Sequence, residues 1–177
     1  MGKHCAILQV VGYQNSGKTR LMENLIARAS GLGLNVGSLK HHGHGGAPDL
    51  HGKDSSRHFE AGAAVSAAEG AGVLQLSARL EGSALDDLIQ IYSHFNLDVL
   101  FIEGYKHARY PKAVLIEKEE DLSLLDQLTG IICVITDLTV PPLPGIEFFT
   151  KQQVAHSIDF MIKKAVKQID REDILPD

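Results

Sequence analysis

The clearest chemistry lies near the amino terminus, where Gly12-Tyr13-Gln14-Asn15-Ser16-Gly17-Lys18-Thr19 fits the pattern G-x-x-x-x-G-K-[ST] at every fixed position. Such a loop wraps phosphate groups in main-chain N–H donors, and chance would produce it in roughly one chain in a hundred of this composition. Gly12 and Gly17 let the backbone turn and approach oxygen atoms, while Asn15 and Ser16 contribute amide N–H groups. Lys18 supplies a point charge for the β- and γ-phosphates, and the Thr19 hydroxyl is a ligand for Mg²⁺. Arg20 follows directly and is counted with the nucleotide-binding residues, although neither it nor Arg57 has the context of an arginine finger.

A site for a metal-bound triphosphate calls for a carboxylate at the carboxyl end of a neighbouring parallel strand, because ligands of open α/β sheets bind at that edge. Glu103 closes the apolar run at residues 97–102 and fits this role, as a magnesium ligand or as a group orienting a magnesium-bound water. Asp98 opens the same run and belongs at the far edge. Asp54 starts a helical segment, where a carboxylate is favoured as a cap and is also placed to position water or magnesium beside a γ-phosphate. Lys18, Asp54 and Glu103 are therefore the residues expected to carry any hydrolytic chemistry. Lys40 begins a glycine- and histidine-rich stretch in which His41, His42, His44, His51 and His58 accompany Asp49 and Asp54. Imidazoles and carboxylates suit a transition metal, but so many glycines preorganise ligands poorly, so the stretch also reads as a mobile loop whose cations meet an anionic substrate. After Glu103 the segment Gly104-Tyr105-Lys106-His107-Ala108-Arg109-Tyr110-Pro111 concentrates cations and aromatics on one loop.

These residues must be held by elements, and the hydrophobic pattern supplies them. Strand-length apolar runs at residues 5–11, 34–39, 63–68, 72–78, 97–102, 113–116 and 131–135 alternate with segments of helical period. The helices are expected at residues 18–29, after Ser83 as N-cap, at 122–128 in short form, and at 154–169. This alternation is that of an α/β fold, P-loop NTPase-like, with a mainly parallel sheet flanked by helices. Residues 63–68 and 72–78 are too close for a parallel crossover, and they should form an antiparallel hairpin attached to that sheet, with an exposed edge available for subunit pairing. Residues 41–52 and 136–145 read as loops. One nucleotide-binding domain over residues 1–170 with a tail at 171–177 accounts for the whole chain.

The 177 residues, 44% apolar and 22% charged, make a single globular domain of ordinary composition and exclude a disordered or low-complexity chain. The 17 Lys and Arg against 22 Asp and Glu give a net charge of −5 without a basic run, which argues against nucleic acid as a partner. Cys5 and Cys133 both sit inside apolar runs, as free thiols in a reducing compartment do. The opening apolar run is too short for a signal peptide, and no run approaches the ~20 residues of a membrane span. A cytoplasmic protein without a membrane partner is expected.

In ordered combination, four motifs carry a specific resemblance. They are the loop Asn15-Ser16-Gly17-Lys18-Thr19; Lys40-His41-His42; Gly52-Lys53-Asp54-Ser55 with Ala61-Gly62-Ala63; and Glu103-Gly104-Tyr105-Lys106-His107 with Tyr110-Pro111. Together they span about two-thirds of the chain, which resembles the molybdopterin-guanine dinucleotide biosynthesis adapter (MobB) family. The resemblance implies a GTP-binding homodimer, with Mg²⁺, that assists the guanylyltransferase MobA in attaching GMP to molybdopterin and hydrolyses GTP slowly at most. It also implies that Lys40, Asp54 and Glu103 line the nucleotide and cofactor crevice and that Lys106 and His107 approach it. An Asn-Lys-x-Asp element for guanine is absent. Asp137, just past residues 131–135, offers a carboxylate at a comparable place, or else satisfies loop amides. Two other functions fit the motifs: a metallochaperone-type GTPase using the histidine-rich loop, and a small-molecule P-loop kinase.

Overall fold

The structure is a computed structural model that describes residues 5–42, 54–80, 82 and 84–169. Six parallel strands form the main sheet in the order β2-β5-β1-β6-β7-β8. They are β1 (Ala6–Gly12), β2 (Val36–Lys40), β5 (Val99–Glu103), β6 (Lys112–Leu115), β7 (Ile131–Ile135) and β8 (Glu147–Phe149). The helices are α1 (Lys18–Gly31), α2 (Asp54–Glu60), α3 (Leu85–Tyr92), α4 (Ser123–Gln127) and α5 (Val154–Lys167). Short 3-10 turns precede α4 and α5.

The central strands read as near-continuous apolar runs because both faces of the sheet are covered. On one face Leu8, Val10, Phe101, Ala113, Leu115 and Cys133 pack against Leu21, Met22 and Leu25 of α1 and Ile158, Met161 and Ile162 of α5. On the other, Val11, Val114, Ile116 and Val134 pack against Leu124 of α4 and Leu128. The chain leaves β1 toward β2 on one side of it and later returns to β6 on the other. The carboxyl end of β1 is thus the topological switch point of the sheet, the place where such folds open a ligand crevice.

β5 and β6 flank β1, so residues 104–111 must run back across β1 to join two parallel strands. A parallel crossover ordinarily takes a dozen or more residues and a helix; this one has no helix, and its backbone carbonyls lie against the sheet. Two buried polar side chains satisfy three of them and tie the crossover to the turn before β7. Gln9 Nε2 donates to the carbonyls of Gly104 and Tyr105, both at 2.9 Å, and Lys112 Nζ donates to those of Ala108 at 2.6 Å and Thr129 at 2.5 Å. Gln9 and Lys112 are register partners and are both fully buried. The tight crossover explains why a sheet interior tolerates them.

Three features depart from the sequence pattern. The hairpin β3 (Val65–Gly70) and β4 (Val73–Ala78) is a separate two-stranded sheet and does not join the six-stranded one. Ala71 and Gly72, with φ of 50° and 77°, make its two-residue turn, whose twist matches the strands. The strand β8 falls where no strand was expected, and it pairs with β7 through Cys133↔Glu147, Val134↔Phe148 and Ile135↔Phe149. At α3 the first N–H is satisfied from within the helix, Ala84 N donating to Asp87 Oδ2 at 2.9 Å; Ser83, the expected cap, lies outside the described residues. So do residues 43–53, with most of the histidine-rich loop, and the tail from 170 onward. Asp98 lies at the amino edge of β5, as expected, where its Oδ2 accepts from Asn35 N at 2.9 Å.

Candidate functional site

Residues 13–17 link the carboxyl end of β1 to α1. Asn15 and Gly17 take φ of 63° and 82°, a left-handed conformation that Asn tolerates and Gly adopts without strain. At Gly12 the obstacle is space. A Cβ there would stand 2.6 Å from Ser16 Oγ and 2.8 Å from the Leu115 carbonyl oxygen. Gly17 caps α1 with no side-chain hydrogen bond, and the first turn has no acidic residue. The amide donors and positive end of the helix dipole therefore meet no carboxylate from their own turn, which suits an anion.

The crevice above this loop has a volume of about 1160 Å³ and is lined on the loop side by Gly12, Asn15, Gly17, Lys18, Thr19 and Arg20. Lys40 enters from the end of β2, Glu103 from the end of β5, and Lys106 from the crossover. Glu103 is 7% exposed. Its two oxygens stand 3.3 and 3.2 Å from Thr19 Oγ1, and its Oε1 lies 3.2 Å from Lys40 Nζ. Lys40 Nζ also donates to Thr19 Oγ1 at 3.1 Å. Lys18 Nζ donates to the Tyr13 carbonyl at 2.5 Å and reaches Ser16 Oγ at 3.4 Å. Burial lowers the pKa of Lys18; Glu103 opposes this, and the positive charges of Lys40 and Lys106 add to it. Lys106 Nζ sits 4.5 Å from the centre of the Tyr13 ring, a cation–π contact that ties the crossover to the loop.

Most of the residues singled out in the sequence thus converge on one crevice, Ser16 among them, as a buried hydroxyl under the loop. His107 is exposed and is not among the lining residues, and neither is Asp137. Asp137 Oδ1 accepts from Lys151 N at 2.9 Å, at the turn leading into α5. Asp54 opens α2, and its side chain lies outside the described atoms. His41 and His42 line the crevice, the His41 ring lying on Tyr105 with centroids 4.1 Å apart. Among the described residues no group of three or more His, Cys, Asp or Glu side chains could hold a metal.

Sequence reasoning missed Lys118, Glu120 and Asp121, which line the wall of the crevice after β6. Asp121 is 2% exposed, and its Oδ2 accepts from the N–H groups of Glu117 and Lys118 at 3.2 and 3.4 Å, fixing that wall. The rule that led to Glu103 applies equally to this strand end, since β6 is the other neighbour of β1.

The donor set suits both halves of a metal-bound phosphate. An uncapped helix start and several ammonium groups fit the anion, and a hydroxyl beside a carboxylate is the hard oxygen set that magnesium accepts. Sheet order, switch point and loop together define a P-loop NTPase-like α/β protein. Residues 7–137 match the family described as "Molybdopterin guanine dinucleotide synthesis protein B". A relative from Bacillus subtilis (strain 168), named "Probable molybdopterin-guanine dinucleotide biosynthesis adapter protein", is 51% identical over 73% of this chain and 75% of its own. A Haemophilus influenzae relative, named "Molybdopterin-guanine dinucleotide biosynthesis adapter protein", is 32% identical over 67% of each chain. The crystal structure of Bacillus subtilis MobB superposes with a TM-score of 0.79 at 41% identity, covering 90% of this chain and 98% of that one. This chain belongs to the MobB family.

Proposed function

We propose that this chain is a GTP- and magnesium-binding adapter in molybdenum cofactor biosynthesis, assisting a MobA guanylyltransferase in attaching GMP to molybdopterin. The observation that carries the reading is the Thr19 hydroxyl set against the buried Glu103 carboxylate, beside Lys18 and the uncapped start of α1. The names of the relatives support the pathway. In this reading Gly12, Asn15, Ser16 and Gly17 cradle phosphates, while Lys18 and Arg20 offset their charge. Thr19 and Glu103 would hold a magnesium ion, which would supply charge neutralisation to the phosphates. Lys40 and Lys106 add positive charge at the crevice, and Asp54 positions water. With no arginine assigned to the transition state, hydrolysis is slow and binding is the main task.

The reading extends to a cytoplasmic homodimer. Val65, Val73, Leu74 and Leu76 of the hairpin are 50 to 68% exposed, an apolar surface of the kind that a second subunit covers. No helix among the described residues is long and apolar enough to cross a membrane.

Calorimetric titration with GTP, ATP and GDP, each with and without Mg²⁺, tests the proposal when followed by capture of the guanylyltransferase on immobilised protein. GTP binding that strengthens with Mg²⁺, exceeds ATP binding and falls in Lys18→Ala is expected. Absence of nucleotide binding under every condition would overturn it.

A further inference from the structure

The position that the proposed function gives to magnesium already has a cationic side chain built into it. Lys40 and Glu103 are register partners on the adjacent parallel strands β2 and β5, so their side chains leave the same face of the sheet at its carboxyl edge. The sheet register fixes where the two side chains start, the Glu103 carboxylate being buried and the Lys40 side chain about half exposed. Lys40 Nζ lies 3.1 Å from Thr19 Oγ1 and 3.2 Å from Glu103 Oε1, and Thr19 Oγ1 lies 3.2 and 3.3 Å from the two Glu103 oxygens. One ammonium, one hydroxyl and one carboxylate therefore close a triangle on the two groups that would bind the metal. Lys18 lies close enough to feel the charges of Glu103, Lys40 and Lys106, so further positive charge stands beside this triangle.

We infer that Lys40 is a resident cation at the metal position, one that competes with a divalent ion for Thr19 and Glu103 until a polyphosphate brings enough negative charge to accept both. The inference rests on the proposed magnesium-dependent GTP site and adds to it an order of events. Without nucleotide, a divalent ion has to displace the Lys40 ammonium from a buried carboxylate and sit near two more lysines. With a triphosphate present, the ammonium gains an alternative anionic partner, and the metal enters together with the nucleotide. The arrangement keeps the carboxylate paired at all times, which matters because a buried charge left unpaired is strongly unfavourable.

Mn²⁺ binding to the nucleotide-free protein, followed by electron paramagnetic resonance, tests this without any reading of activity. Wild-type protein should bind Mn²⁺ weakly, and Lys40→Met should bind it tighter on the order of tenfold or more, the direction set by removing a like charge a few ångström away. Lys40→Gln, which keeps a hydrogen-bond donor without the charge, should show the same gain; Lys40→Arg should behave as wild type. Adding Glu103→Gln to Lys40→Met should abolish the gain. Equal Mn²⁺ affinity in wild type and both neutral variants, each with an unchanged melting temperature, would overturn the inference. A separate arm measures GTP binding in excess EDTA and in excess Mg²⁺. Failure of wild type to bind GTP in either condition would sink the proposed function, whereas the nucleotide-free Mn²⁺ comparison decides the role of Lys40 on its own.

Discussion

Replacing Gly12 with alanine drives a methyl group into two oxygen atoms, and only one of them can move away cheaply. The added Cβ would stand 2.6 Å from Ser16 Oγ, 2.8 Å from the Leu115 carbonyl oxygen and 3.3 Å from Leu115 Cβ. The Ser16 hydroxyl can turn to another rotamer at the expense of its long contact with Lys18 Nζ. The Leu115 carbonyl belongs to β6, and Leu115 is the register partner of Gly12, so relief there means parting two central strands at the switch point. Overpacking of this kind costs about 1–3 kcal/mol. The displacement falls on the residue that launches the phosphate loop, so nucleotide affinity should drop at least in proportion. Gly31→Ala is the control: nothing lies within 4 Å of its added Cβ, and it sits in the last turn of α1. That change should be neutral or stabilise by a few tenths of a kcal/mol. Equilibrium urea unfolding and GTP titration of Gly12→Ala, Gly31→Ala and Gly12→Ala with Ser16→Gly report on the same contacts. The double variant should recover only part of the loss, because the carbonyl remains. Gly12→Ala with wild-type stability and wild-type affinity would refute the reasoning.

Lys18→Met should weaken GTP binding by roughly ten- to a hundredfold, the worth of a hydrogen bond to a charged group, while urea unfolding changes by less than about 0.5 kcal/mol; equal affinity by calorimetry would remove Lys18 from the site. Lys112→Met leaves the Ala108 and Thr129 carbonyls without their donor. At about 1–3 kcal/mol for each unsatisfied group it should destabilise by about 2–6 kcal/mol, partly offset by relief from burying an ammonium; urea unfolding with an unchanged midpoint would contradict this account of the crossover. Burial pushes the Cys133 thiol up to about 12. The folded protein therefore keeps this proton while the unfolded chain releases it above about pH 8.5. Stability should fall by about 1.4 kcal/mol per pH unit from there toward pH 12, and Cys133→Ala should lack this component of the slope in parallel urea titrations.

The phosphate loop was legible because its chemistry demands fixed residue types at fixed spacing. Glu103 was legible because a strand ending in a carboxylate points to the crevice of any open parallel sheet. What the sequence withheld was strand order. Residues 104–111 show cations and aromatics, but nothing in them says that β5 and β6 lie on opposite sides of β1 and that the link must therefore cross it. For the same reason no residue pattern announces Lys112 as fully buried, since a lysine in a strand run reads as an edge or a terminus. The strand β8 is only three residues long, too short for alternation to show, and it follows a proline-rich loop. Lys118, Glu120 and Asp121 belong to no motif, and only their place after β6 brings them to the crevice.

The short crossover also joins the core to the site. Its first carbonyls are held by Gln9 from beneath, its fifth residue by Lys112, and its lysine Lys106 reaches across to the Tyr13 ring of the phosphate loop. Gly104, at φ 97°, packs so closely on His41 that a Cβ would stand 3.0 Å from the His41 Cβ. His41 in turn donates its backbone N–H to the Glu103 carbonyl and stacks its ring on Tyr105. The ends of β1, β2 and β5 are thus fastened to one another by backbone and buried side chains before any ligand is bound. Lys18, Lys40 and Glu103 owe their mutual geometry to that fastening, so substitutions at Gln9, Gly104 or Lys112 should disturb the crevice without touching anything held in it.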